Sequence, residues 1–262
     1  MVRPSICVEM IYDDRPFVDR LDRVAAHGFE TIEFWTWPDK DLDAIADRLE
    51  THDLSVAGMA ANTEPRRPEA LERPLTDPAK RRDVVDDITE SIAVADRFDC
   101  PNLIVLVGPK PNEYTRAEAR ESVIACLREV APVAAEAGVT LIVEPLNRAV
   151  DHSGYYLERS APAFDIVAEV DSPAVRINFD IYHQQISEGN IIDTITNNVD
   201  AIGHIHIADV PGRHEPGTGE LHYPNILTAI DESGYEEYVG FEYIAADDDD
   251  VALETIQDLV TA

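Results

Sequence analysis

Lysine is almost missing from this chain. Only Lys40, Lys80 and Lys110 occur among 21 basic residues, against 52 aspartates and glutamates and a formal net charge of −31. An acidic surface of this kind repels phosphate backbones and anionic lipid, which argues against a nucleic-acid or membrane-surface protein. Cysteine is scarce as well: Cys7, Cys100 and Cys126 are odd in number, scattered and without metal-ligand spacing, as suits a reducing cytoplasm. No apolar run approaches the roughly 18 residues of a membrane span, and Met1–Met10 is too short and wrongly flanked for a signal peptide. A Gly-rich phosphate turn is lacking, as is any linker or low-complexity tract, so residues 1–262 are expected to form a single domain.

What is present is a globular composition, 45% hydrophobic, which separates the charge from disorder. Carboxylates in place of lysine predict a halophilic protein, because concentrated salt screens the self-repulsion of such a surface. Short runs rich in Val and Ile alternate eight times with longer segments of helical period. The strand-like runs are Ser5–Ile11, Thr31–Thr36, Leu54–Ala60, Asn102–Val107, Thr140–Glu144, Val175–Asp180, Ile202–Asp209 and Tyr238–Tyr243. Between them apolar residues recur three and four apart: Phe17, Leu21, Val24 and Ala25; Leu42, Ile45 and Leu49; Ile124, Leu127, Ala131 and Ala134 before Gly138; and finally Leu253, Ile256 and Val260. Eight uninterrupted β–α units in 262 residues predict an α/β fold, a single eight-fold (β/α)8 TIM barrel. The Pro-rich stretch Glu64–Pro78 then falls on the catalytic face as a lid, and Asp247–Asp250 caps the last helix at its positive end.

In such a barrel the chemistry sits at the C-terminal strand ends. The fifth run ends on Glu144, the sixth on Asp180, the seventh contains His204, His206 and Asp209, and the eighth contains Glu242. Alternation sends Ile205, Ile207, Phe179 and Phe241 towards the helices and leaves His204, His206, Asp180 and Glu242 inside, with Gly240 making room below Glu242. Three carboxylates and an imidazole cannot share a small cavity as bare charges, so a divalent cation is expected among them. Oxygen ligands with one nitrogen favour Mn²⁺ or Mg²⁺, with Co²⁺ also acceptable. Near the same face lie His183, Arg213, Lys110 and Trp35, candidates for contacting substrate, with Trp37 a further wall. Glu9 and Glu33 are read as structural acids.

The segments Glu144-Pro-Leu-Asn147, Asp180-Ile-Tyr-His183, Gly203-His-Ile-His206-Ile-Ala-Asp209, Gly212-Arg-His-Glu-Pro-Gly-Thr-Gly-Glu220 and Val239-Gly-Phe-Glu242-Tyr resemble the hydroxypyruvate isomerase family. That family belongs to the xylose-isomerase-like barrels, which also include the ketose 3-epimerases. The resemblance covers nearly the whole chain, and the run from His206 to Glu220 is its most specific piece. It implies one divalent metal on Glu144, Asp180, His206 and Glu242, with Glu144 and Glu242 as acid–base catalysts and His183 and Arg213 on the substrate oxygens. Some members carry Gln where this chain has His206, whereas the ketose 3-epimerases carry His.

These residue types suit one reaction class. A metal that chelates a ketone oxygen and its neighbouring hydroxyl oxygen acidifies the hydrogen on the hydroxyl-bearing carbon, and a glutamate removes it to give an enediolate. Return of the proton to the former carbonyl carbon isomerises a small hydroxy-ketone such as hydroxypyruvate; return from the other face gives the alternative, a tagatose- or psicose-type 3-epimerase. A non-catalytic metal- and sugar-binding barrel is the third reading. An apurinic-site endonuclease is rejected, because its cluster needs histidines on the third and fourth strands, which here end in Ala-Gly-Met-Ala-Ala-Asn62 and Leu-Val-Gly108. The expected partner is a small-molecule hydroxy-ketone or keto-sugar, with no nucleic acid and no membrane, and the protein is expected to be a cytoplasmic homo-oligomer.

Overall fold

Strands buried on both faces need apolar side chains on both, and the Val- and Ile-rich runs supply them. The structure, a computed structural model, describes residues 2–61 and 70–261. Among these, eight strands form: β1 (Arg3–Cys7), β2 (Thr31–Phe34), β3 (Ser55–Ala60), β4 (Asn102–Val105), β5 (Thr140–Val143), β6 (Val175–Asp180), β7 (Ile202–Ile207) and β8 (Tyr238–Phe241). They close in sequence order, and β1 lies parallel to β8 through the pairs Arg3–Tyr238 to Ile6–Phe241. The predicted eight-fold barrel is the observed one.

Helices α1 (Phe17–Ala26), α2 (Leu42–His52), α3 (Arg81–Arg97), α4 (Arg116–Glu136), α5 (Ser160–Val170), α6 (Ile181–Ser187), α7 (Ile191–Asn198), α8 (Tyr223–Glu232) and α9 (Asp249–Thr261) cover the outside. Their apolar faces are those expected from the periodicity. Leu21 and Val24, Ile45 and Leu49, the quartet Ile124, Leu127, Ala131 and Ala134, and the trio Leu253, Ile256 and Val260 are all buried. A reciprocal capping box of Thr115 and Glu118 starts α4, and Gly138, at φ +71°, lies just past its end, a backbone state that glycine adopts without a Cβ penalty. The aspartate run does cap α9: Asp248 Oδ1 accepts from the amides of Asp250 (3.0 Å) and Val251 (3.1 Å).

Several strands are shorter than their apolar runs. β1 starts at Arg3 and stops at Cys7 rather than running to Ile11, because Tyr12 takes a left-handed turn (φ +49°) and Arg20 donates to the carbonyls of Val8 and Glu9. β7 stops at Ile207, where Asp209 turns to gather loop amides, and β8 stops at Phe241. The proposed lid Glu64–Pro78 lies partly outside the described residues. In its described part Leu71, Leu75 and Thr76 are buried, and Thr76 donates its hydroxyl to the Pro109 carbonyl, which packs that end onto the loop after β4.

Candidate active site

Alternation places every second strand residue inside the barrel, and at the ends of β5 to β8 those inward positions are polar. Glu144 follows β5 directly, Asp180 ends β6, His204 and His206 lie on β7, and Glu242 follows β8. Although one residue beyond their strands, both glutamates remain tied to the neighbouring strand or its extension. The Glu144 amide donates to the Val105 carbonyl (3.3 Å) and the Glu242 amide to that of Ile207 (3.0 Å). Asp180 also caps α6, its Oδ1 accepting from the His183 amide (2.9 Å), which leaves Oδ2 for its other neighbours.

The three carboxylates converge on one imidazole nitrogen. His206 Nδ1 lies 3.4 Å from Glu144 Oε1, 3.5 Å from Glu242 Oε2 and 4.0 Å from Asp180 Oδ2. The four donor atoms fall within 4.8 Å of one another, and all four residues are buried. Burial drives the Glu144 carboxyl upward against the pull of His206. Burial also pushes Asp180 up to about 7, with Arg213 opposing. For His206 burial works against the charged form, yet Glu242 and Glu33 outweigh it and hold the imidazole well above its usual range. A field that protonates its own groups in this way is one that a bound cation relieves.

The donor set fits a divalent ion. His206 Nε2 is 2.9 Å from Glu33 Oε2, so a neutral ring that donates there turns the lone pair of Nδ1 towards the three carboxylates. Three carboxylates with one imidazole match Mn²⁺ or Mg²⁺ better than thiophilic metals. The three cysteines are buried and free, and none joins the cluster; Cys7 comes nearest, its Sγ 3.9 Å from Glu242 Oε1.

Beside these residues lies a cavity of about 90 Å³, lined by the polar side chains of Glu144, Glu242, His183 and Arg213 and by the apolar ones of Ile104, Leu106 and Leu146. Trp35 lines it and donates its indole N–H to Glu242 Oε1 (2.6 Å), while Arg213 donates to Glu242 Oε2 and lies 3.8 Å from Asp180 Oδ2. Arg213 has a left-handed backbone (φ +58°), clamped by its amide on the Asp209 carbonyl (3.1 Å) and by the Ile244 amide on its own carbonyl (2.8 Å). Burial, followed by the charge of Arg213, holds the His183 imidazole well below its usual range. Its Nδ1 accepts from the Asn147 side-chain amide (2.8 Å), which leaves the ring proton on Nε2.

Of the residues expected to touch substrate, His183, Arg213 and Trp35 are brought together in the cavity. Lys110 is not: its ammonium donates to the carbonyls of Pro111 (2.7 Å) and Tyr114 (2.6 Å), which fastens its own loop. Trp37 donates to Ser91 Oγ (3.1 Å) on α3 and stays out of the cavity lining. Glu9 keeps its structural reading, with Oε1 accepting from the Trp35 amide (3.0 Å) and pairing with Lys40 (2.6 Å). Asn178, missed in the sequence, donates to Glu144 Oε1 (2.8 Å); the alternation that turns Asp180 inward turns Asn178 inward too. Asp209 is a loop organiser, accepting from the amides of Val210 (2.9 Å), Gly217 (2.9 Å) and Leu221 (3.1 Å).

Comparison with known proteins agrees with the barrel fold. The family described as xylose isomerase-like TIM barrel matches residues 21–260. A 2-oxo-tetronate isomerase of Cupriavidus necator is 34% identical over 93% of this chain and 93% of its own length. The hydroxypyruvate isomerase of Escherichia coli is 30% identical, also over 93% of each. Among solved structures, one from Brucella melitensis described as an AP endonuclease of family 2 superposes with a TM-score of 0.86 at 28% identity, covering 98% of this chain and 99% of that one. The chain belongs to the hydroxypyruvate isomerase family of xylose isomerase-like TIM barrels, and it is an enzyme of the isomerase class.

Proposed function

We propose that the protein is a divalent-metal isomerase of short hydroxy-ketones, hydroxypyruvate or 2-oxo-tetronate in kind, with Glu144 and Glu242 as its proton carriers. The observation that carries this reading is the convergence of Glu144, Asp180 and Glu242 on His206 Nδ1 beside a small cavity. Mn²⁺ or Mg²⁺, with Co²⁺ as a substitute, would be held by these four residues and would act as a Lewis acid towards the adjacent oxygens of the substrate.

The chain's own groups divide the remaining work. Glu144 and Glu242 both line the cavity, so one removes the proton from the hydroxyl-bearing carbon and the other delivers a solvent-derived proton to the former carbonyl carbon. The raised carboxyl of Glu144, driven by burial, suits a group that carries a proton near neutral pH. Trp35 and Arg213 orient Glu242 by donating to one oxygen each. His183, neutral and with its proton on Nε2, donates a hydrogen bond to a substrate oxygen. Ile104, Leu106 and Leu146 give the cavity an apolar part of its lining beside these polar groups.

Support for this substrate class comes from the two relatives named above, whose lengths match this chain almost end to end. The test is a panel of hydroxypyruvate, 2-oxo-tetronate, fructose, tagatose, psicose and inosose, assayed in high salt with Mn²⁺ and again after chelation. Turnover of a three- or four-carbon acid, lost on chelation and in Glu144→Gln and Glu242→Gln, supports the reading; metal and ligand binding without turnover would make the protein a binder. The 3-epimerase reading rests on His206 and on the pair of cavity carboxyl groups, Glu144 and Glu242, and turnover of tagatose or psicose alone would establish it. A nuclease is disfavoured, since β3 and β4 bring no histidine to the mouth and the chain carries a net charge of −31. Among the described residues no helix is long and apolar enough to cross a membrane. A salt-adapted, cytoplasmic homo-oligomer completes the proposal, and light scattering in high salt tests the assembly.

A further inference from the structure

Glu33, on β2, lies outside the four-residue cluster and is 2% exposed. Its two oxygens are divided between two histidines of β7: Oε1 is 3.0 Å from His204 Nε2 and Oε2 is 2.9 Å from His206 Nε2. Ser5 donates its hydroxyl to Oε1 as well. The barrel makes space for this carboxylate at two glycines. A Cβ on Gly240 would lie 2.3 Å from Glu33 Oε1 and 2.8 Å from His206 Cδ2, and one on Gly58 would lie 3.3 Å from Oε2. Neither glycine has a positive φ, so what they supply is room and not backbone freedom.

We propose that Glu33 is a positioning residue for the metal centre: by accepting the Nε2 proton of His206 it fixes the ring with Nδ1 as the free donor, while the Ser5 hydroxyl donates to its other oxygen. This inference rests on the metal reading above. A second contact on the ring supports the same tautomer. The Asn178 side-chain nitrogen lies 3.1 Å from His206 Nδ1, a contact that suits the neutral ring with Nδ1 as acceptor. An imidazole ligand held by a buried carboxylate on its far nitrogen is both oriented and made more basic, and loss of such a partner weakens metal binding by about 10–100-fold.

The experiment titrates Mn²⁺ calorimetrically into the full chain, as wild type, Glu33→Gln and His204→Gln, and records long-range ¹H–¹⁵N spectra of the Mg²⁺-loaded proteins. Glu33→Gln keeps the volume and removes the charge, so Mn²⁺ should bind about 10–100-fold more weakly. His204→Gln disturbs the same buried layer but keeps the Glu33–His206 bond, and its affinity should stay within a few-fold of wild type. The His206 Nε2–H proton should appear far downfield in the wild type and move upfield in Glu33→Gln. Equal affinity in Glu33→Gln, an equally large loss in His204→Gln, or a second ion that disappears with Glu33 would each overturn the proposal. Should Glu33→Gln not fold, the wild-type spectrum decides, because His206 protonated on Nδ1 contradicts the assignment. A wild type that binds no Mn²⁺ would instead remove the metal reading itself, which keeps the two failures apart.

Discussion

Gly240→Ala is the smallest change that tests how tightly the layer under the cluster is built. The added methyl would lie 2.3 Å from Glu33 Oε1, 2.8 Å from His206 Cδ2 and 2.9 Å from Glu33 Cδ. Ordinary contact distances are about 3.5 Å, so Glu33 must retreat by roughly 1 Å. It has nowhere to go: Ser5 and His206 hold its oxygens, His204 lies against Oε1, and β3 closes in at Gly58. Overpacking of this kind costs about 1–3 kcal/mol. For a domain of this size each kcal/mol moves Tm by roughly 2–4 °C, so a fall of roughly 2–12 °C is expected. Thermal melts in chelator read the packing cost alone. Mn²⁺ titration of the same protein reads the displacement of His206 and should show affinity reduced by about 10–100-fold. Wild-type Tm together with wild-type affinity would refute the geometry of this layer.

Metal analysis of His206→Ala should show a large loss of bound ion, while replacement of Cys7, Cys100 and Cys126 together should leave the metal in place. Metal affinity should fall as pH drops through about 7, because a ligand must be deprotonated and burial, opposed by Arg213, pushes the Asp180 carboxyl up to about 7. The sign is that protons compete below that pH and release the site above it; calorimetric titrations between pH 5.5 and 8.5 that give one constant affinity would contradict it. Stability should rise with salt, since a net charge of −31 repels itself when unscreened. A Tm that is flat from dilute buffer to multimolar KCl would remove the halophilic reading.

The barrel was legible because eight apolar runs recur between segments of helical period, and burial on both strand faces leaves that pattern little freedom. The cluster was legible for a related reason: alternation with Ile205, Ile207, Phe179 and Phe241 gives His206, Asp180 and Glu242 only the inside to occupy. Side chains whose role depends on a partner far along the chain were not readable in that way. Glu33 meets His206 across 173 residues and Trp35 meets Glu242 across 207, and no local spacing encodes either contact. Lys110 shows the converse. Its position after the fourth strand was right, but two backbone carbonyls within four residues capture the ammonium before it can reach the cavity. Strand ends were blurred because apolar residues such as Val8 and Ile11 are fully buried in loops as well as in strands.

Turnover of hydroxypyruvate or 2-oxo-tetronate in deuterated water, with Mn²⁺ in high salt, tests the central claim most directly. Proton removal and return by Glu144 and Glu242 predicts a product deuterated at the former carbonyl carbon, with incorporation lost in both Glu→Gln variants. Turnover that leaves the product free of deuterium would mean that hydrogen passes directly between the two carbons, and the two-glutamate account would be wrong even with the metal site intact.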